Sequence, residues 1–281
     1  MQKLLPILLL SFFLTSVSGQ NKGLVKDQFN YKITYKLTYQ PDSTDIESRK
    51  SEDMYLYIGN ETSRFSSAGM AIGDSLKSNL NKSEFNPATL MLMRKQIPKT
   101  EFKYEIYKGI PTEKITYVKE IGNDKYYYTD NKDQFDWKVL EETDTIAGYR
   151  VQIATSSFAG RDYTAWFTQE IPLAEGPYKF NGLPGLIVKI EDYKGHYVFE
   201  LTHLKKIENP VSLTFRQEEF VETTQEKLLK LEEEYKKDPI GYLQRSIPGL
   251  KIQYGKDTDQ KKIERERREK LKKQNNPLEI K

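Results

Sequence analysis

Residues Phe29 to Tyr39 read FNYKITYKLTY, with Phe29, Tyr31, Ile33, Tyr35, Leu37 and Tyr39 alternating strictly with polar neighbours. Successive side chains of an extended chain point to opposite faces, so a period of two collects every apolar group on one side. A helix would scatter the same groups around its axis. The stretch predicts an antiparallel strand with one buried and one wet face. Gln40-Pro41-Asp42-Ser43 ends it with turn-forming residues.

Similar short runs recur along the chain. Strands are expected at Met54–Ile58 and near Phe102–Tyr107, Lys114–Lys119, Lys125–Tyr128, Asp136–Leu140, Tyr149–Thr155, Asp162–Thr168, Leu186–Asp192 and Gly195–Lys205. Gly, Pro, Asn and Asp separate them, as in an antiparallel meander. Between residues 66 and 95 the pattern changes. Ile72, Leu76 and Leu80 fall four apart, and Asn86-Pro87 and Ile97-Pro98 are breaks. One or two short helices are predicted there. Thr223 and Glu226 form a capping box ahead of a helix that Asp238-Pro239 stops. A short strand is expected near Leu250–Tyr254, and a charged helix over Lys261–Gln274. The fold class is therefore α+β, mainly an antiparallel β meander with helices. Residues 20–255 form its β-rich body and 256–281 a charged tail ending in NNPLEI.

The chain opens MQKLLPILLLSFFLTSVSGQ: a lysine, an apolar run, then small residues. That is the order of a secretory signal, with cleavage expected after Gly19. The run falls short of the about 20 residues a membrane span needs, and no later run is long enough. There is no cysteine. A disulfide framework, a thiol nucleophile and a lipoprotein anchor are excluded. The expected location is periplasmic or secreted. Net charge is +3, and residues 256–281 hold ten Lys/Arg against six Asp/Glu. The remainder is near neutral, so no basic face for nucleic acid is expected.

Gly176-Pro177 and Leu183-Pro184-Gly185 flank Asn181-Gly182 in a segment that is rich in turn residues and yet apolar. Such a segment cannot be a regular strand. It is expected to fold onto the core, with Gly182, Leu183, Pro184, Gly185, Leu186 and Ile187 as a structural motif. A type II turn over Leu183–Leu186 would bury Leu183, Leu186 and Ile187 and give Gly185 a positive φ. The blocks "IAGYRVQIA" at Ile146–Ala154, "AWFTQEIP" at Ala165–Pro172 and "GPYKFNGLPGLIVKIED" at Gly176–Asp192 resemble the GLPGLI family of exported Bacteroidetes proteins. That resemblance carries no catalytic residues with it. Its general look is similar to the LolA-like lipoprotein carriers, which implies a strongly curved sheet or half-barrel with capping helices on its concave face.

Few residues suggest chemistry. His196 and His203 are seven apart, an odd spacing that sends them to opposite faces of a strand. No phosphate loop, dinucleotide fingerprint, zinc-protease motif or nucleophile elbow is present, so no cofactor or metal is expected. Adjacent carboxylates such as Glu141-Glu142 face apart on a strand. The aromatics suggest more. Trp137 and Trp166 lie on expected strands, and Met70, Met91 and Met93 in the helical insertion. These five are the candidate ligand contacts, the methionines as an adaptable lid. The favoured function is non-enzymatic binding of a lipid or other hydrophobic ligand, or of an outer-membrane protein partner. A carboxylate-based hydrolase and a structural accessory of an outer-membrane complex are the alternatives.

Overall fold

The computed structural model describes residues 24–81, 86–252, 255 and 259–280. The expected signal segment, Met1–Gly19, lies outside the described residues. So do Gln253 and Tyr254 of the expected strand at 250–254, while Leu250–Ile252 have no strand structure.

Among the described residues, twelve strands form one curved, unclosed sheet. They are β1 (Leu24–Tyr39), β2 (Lys50–Ile58), β3 (Ser63–Ser67), β4 (Tyr104–Lys108), β5 (Lys114–Ile121), β6 (Asp124–Asn131), β7 (Lys138–Ile146), β8 (Tyr149–Phe158), β9 (Arg161–Thr168), β10 (Leu186–Asp192), β11 (Tyr197–Arg216) and β12 (Val221–Glu222). Their spatial order is β12-β6-β5-β4-β3-β2-β1-β11-β10-β9-β8-β7. Every pair is antiparallel except β12 on β6. The expected α+β class, a curved antiparallel sheet with helices, is what the chain forms.

The alternation in β1 works as its period demands. Ile33, Tyr35 and Leu37 are wholly buried on the inner face, and the Tyr35 hydroxyl donates to the Ile187 carbonyl at 2.6 Å. Phe29 breaks the pattern. Register against β11 shifts between Phe29 and Tyr31, and a bulge of this kind turns the following side chains over. Phe29 therefore joins a smaller outer cluster with Tyr107, Val118, Tyr127, Leu213 and Phe215. The same irregularity lets β11 run through Pro210, where Val211 opposes Phe29 and Lys206 opposes Tyr31. The expected strand at Gly195–Lys205 is only its first half.

Helices α1 (Ala68–Ser78) and α2 (Pro87–Gln96) occupy the predicted insertion. α1 buries Ala68, Gly69, Ala71 and Gly73, leaving Ile72, Leu76 and Leu80 only half-covered. Small residues win because the backbone beyond α2 passes very close: a Cβ on Gly69 would stand 2.4 Å from the Pro98 carbonyl oxygen. α3 (Gln225–Lys237) is capped by Thr224, not Thr223, whose neighbour's hydroxyl accepts from Lys227 N at 3.3 Å. Asp238 ends α3 and also caps α4 (Pro239–Ser246), accepting from Gly241 N at 2.9 Å. α4 was not expected, since Asp-Pro reads equally as a stop and as a start. α5 (Gln260–Lys272) buries no residue. None of the described helices is long and apolar enough to cross a membrane.

Candidate functional site

Two buried lysines fix the loop between β9 and β10. Lys108 is fully buried, and its Nζ donates to Glu175 Oε2 at 2.7 Å and to the Gly176 and Phe180 carbonyls at 2.7 and 2.9 Å. All three of its protons are used. Lys179, 1% exposed, pairs with Glu279 at 2.6 Å and Asp130 at 2.8 Å, and donates to the Tyr128 hydroxyl at 3.0 Å. Leu183, Leu186 and Ile187 are buried. The turn that buries them is not type II. Gly185 N donates to the Leu183 carbonyl at 2.8 Å, and Leu186 N goes to Ile171 O, so the tight turn centres on Pro184 and is a γ-turn. Gly185 has φ +149, and a Cβ there would lie 2.1 Å from the Thr168 carbonyl oxygen.

The C-terminal segment lies across the inner face. Buried Arg161, paired with Asp192 at 2.8 Å, donates to Asn276 Oδ1 and to the Pro277 and Leu278 carbonyls. Asn276 also bonds the Gln40 carbonyl at 2.7 Å and accepts from the Tyr197 hydroxyl at 2.5 Å. Leu278 is buried in the main core, whereas Ile280 is 51% exposed. NNPLEI thus docks through Asn276 and Leu278.

Where this segment, α3 and the inner face meet, a cleft of about 260 Å³ opens. Among the described residues, six tyrosines line it, and as many lysines and glutamates together. Register places Tyr117 of β5 opposite Tyr128 of β6, and Tyr104 of β4 diagonal to Tyr117. The Tyr117 and Tyr128 rings stack at 5.1 Å, and Tyr104 tilts against Tyr117 at 5.2 Å. Tyr178 stands edge-on to Tyr104 at 5.7 Å, from a backbone at φ +54, a strained value for a bulky residue. Tyr39, Tyr197 and Phe102 continue the wall, and Leu228 and Leu229 of α3 close it opposite.

The polar atoms of these walls are mostly spoken for. Tyr178 donates to Glu279 at 2.7 Å, and Gln225 donates to the other oxygen of that carboxylate. Lys119 and Lys236 both pair with Glu232 at 2.6 Å. Burial would raise the Glu232 carboxyl, but the two lysines outweigh it and hold it below its usual range. Burial pushes the Tyr104, Tyr117 and Tyr178 phenols well above theirs, and Glu279 adds to the shift in each. The phenols are neutral hydroxyls. One of them stands apart: Tyr104 is only 6% exposed, and its hydroxyl has no hydrogen-bond partner. Among the groups acting on it are Tyr117, Tyr197 and Glu279, all in the cleft wall.

The five residues singled out from sequence lie elsewhere. Trp137 donates through Nε1 to the Asn181 carbonyl at 2.8 Å and stacks on Phe135 at 5.7 Å. Trp166 carries Lys189 Nζ 4.6 Å over its ring. Met93 is buried, Met70 half-buried and Met91 63% exposed. None of the five lines the cleft. Phe167 is buried and Trp166 only partly so, as opposite faces require. Among the described residues no three His, Asp or Glu side chains converge to hold a metal.

A family model described as "Protein of unknown function (Porph_ging)" matches residues 95–189. The blocks at Ala165–Pro172 and Gly182–Ile187 lie inside that stretch, as do Tyr104, Tyr117, Tyr128 and Tyr178. No curated protein matches the chain. Among solved structures, PNGF-II is similar in its P21 and C2 crystal forms, at 16% and 17% identity and a TM-score of 0.48 in each. The matches cover 72% and 73% of this chain, but 33% and 32% of the PNGF-II chains. The chain thus spans about a third of the length of the solved chains it matches.

Proposed function

We propose that the protein is a non-enzymatic binding protein, and that the tyrosine cleft beneath α3 is its ligand site. The observation that carries this reading is the cleft of about 260 Å³ itself, lined by six tyrosines and by Leu228, Leu229 and Leu278. A concave site with aromatic and aliphatic walls and a few polar groups is the usual form of a small-molecule site. The carboxylates favour binding over catalysis. Glu232 and Glu279 are each held by lysines, which leaves neither free to act as a base. The ligand is hydrophobic in its faces, as the sequence reading holds, but it meets tyrosine rings instead of Trp137, Trp166 and the methionines. The Met1–Gly19 pattern supports a setting outside the cytoplasm, where such a ligand would be collected.

Native mass spectrometry of the protein purified from its own cells tests this. The wild type should carry a bound small molecule. Leu229→Trp, at a largely exposed position on the cleft wall, should lay an indole over the opening and lose it. An adduct retained equally by the variant would place the ligand elsewhere.

A further inference from the structure

We infer that the cleft selects an anion: a small carboxylate with an apolar body, its head taken by Lys119 of β5 and Lys236 at the C-terminal end of α3. This rests on the binding reading above and names the ligand class.

Charge decides it. Register sets Lys119 directly opposite Tyr104 of β4 and two residues from Tyr117 on the same face. Its Nζ pairs with Glu232 Oε2 at 2.6 Å, and Lys236 Nζ takes Oε1 of the same carboxylate at 2.6 Å. Two cations share one anion, so this end of the cleft carries surplus positive charge. The Lys236 side chain is 49% exposed and has water to turn to, but that of Lys119 is only 17% exposed. An ammonium has three protons to donate. Lys108 spends all three within the protein. Lys119 has Glu232 alone among the described residues. Burial, aided by the like charge of Lys236, outweighs Glu232 and holds the Lys119 ammonium below the usual lysine range. A ligand carboxylate would supply both the missing charge and the missing acceptors.

The other charges of the wall offer no such opening. Lys50 and Glu101 lie 3.8 Å apart, each about half exposed to water. Glu279 already accepts from Lys179, Tyr178 and Gln225, so a cationic ligand would have to displace them. The second carboxylate on Lys179, that of Asp130, lies outside the wall.

Size limits the rest of the ligand. The volume of about 260 Å³ falls below the ~300–1,000 Å³ of sites for drug-sized ligands. Phe102, Leu228 and Leu229 give apolar lining beside the lysines. A carboxylate on one ring or a short chain fits, and a long acyl chain would overrun the space.

Benzoate, benzamide and benzamidinium share one shape and differ in charge. Each is titrated at fixed ionic strength into the full chain, labelled with ¹³C in the tyrosine rings and the lysine ε-carbons, and followed by NMR. Benzoate should shift the Lys119 and Lys236 signals together with those of Tyr104 and Tyr117. It should bind on the order of tenfold tighter than benzamide, with benzamidinium weakest. Lys119→Met keeps the length of the side chain and removes its charge, and should bring benzoate down to the affinity of benzamide. Lys236→Met, at an exposed position, should weaken benzoate about threefold and leave benzamide unchanged. Benzamide or benzamidinium binding as tightly as benzoate would overturn anion selection while leaving the cleft as a binding site. A benzoate preference kept in full by either variant would overturn the part given to that lysine. If none of the three compounds moves a cleft tyrosine signal, the binding reading itself fails.

Discussion

Arg161 and Leu278 stand 117 residues apart and are joined by one hydrogen bond, from the buried guanidinium Nε to the Leu278 carbonyl at 3.1 Å. The other guanidinium nitrogens reach Asp192, Asn276 and Pro277. One side chain therefore ties β9 and β10 to the C-terminal segment and sets one wall of the cleft. Arg161→Ala should cost about 3–5 kcal/mol, because Asp192 would remain buried without its cation. Urea denaturation measures this, and a loss below about 1 kcal/mol would show the pair to be dispensable.

Removal of residues 275–281 should be nearly as damaging. It takes away buried Leu278 and the partners of Arg161, Lys179 and Tyr197. A loss of roughly 3 kcal/mol or more is expected from the apolar burial and hydrogen bonds together. Alanine at exposed Lys261 or Arg265 of α5 should stay within about 0.5 kcal/mol. Thermal melts of the three variants compare the docked end with the solvated helix.

Gly185 and Gly182 separate close approach from backbone conformation. A Cβ on Gly185 collides with the Thr168 carbonyl, whereas one on Gly182 comes no nearer than 4.0 Å to Trp137 Nε1. Gly182→Ala should cost only the left-handed backbone term, about 1–2 kcal/mol. Gly185→Ala should cost roughly 3 kcal/mol, and Gly185→Val as much or more. Equal midpoints for the two alanine variants would remove the contact argument.

Alkaline pH should unfold the protein cooperatively. Tyr35, Tyr104, Tyr117 and Tyr178 are held neutral by burial, so their folded values lie above the unfolded one. The stability this represents is complete below about pH 10, the unfolded value. It falls as pH rises above that, by about 1.4 kcal/mol per pH unit for each tyrosine. Phenolate absorbance should appear together with loss of structure. Ionisation of most tyrosines in a still-folded chain would contradict the burial.

The sheet was legible in the sequence because alternation is a local signal. Ile33, Tyr35 and Leu37 declare their faces within five residues, and Leu186–Asp192 is a strand over the predicted span. The apolar loop was legible for the same reason: Leu183 and Ile187 had no favourable place but the core. Its turn type was not, since Leu-Pro-Gly-Leu suits a type II turn and only the neighbouring Ile171 carbonyl diverts the Leu186 N–H. The cleft was invisible. Tyr39, Tyr104, Tyr128, Tyr178 and Tyr197 come from distant segments and read one by one as ordinary core aromatics. Only the register of β4, β5 and β6, and the docking of Leu278, bring them together. The tryptophans drew attention by size, yet Trp137 spends its one donor on the Asn181 carbonyl.

The central claim is that the cleft beneath α3 is a binding site. Native mass spectrometry of the wild type and of Leu229→Trp, each purified from its own cells, tests it most directly. The wild type should carry a bound small molecule that the variant lacks. A wild type that carries none, or an adduct retained equally by the variant, would contradict the account.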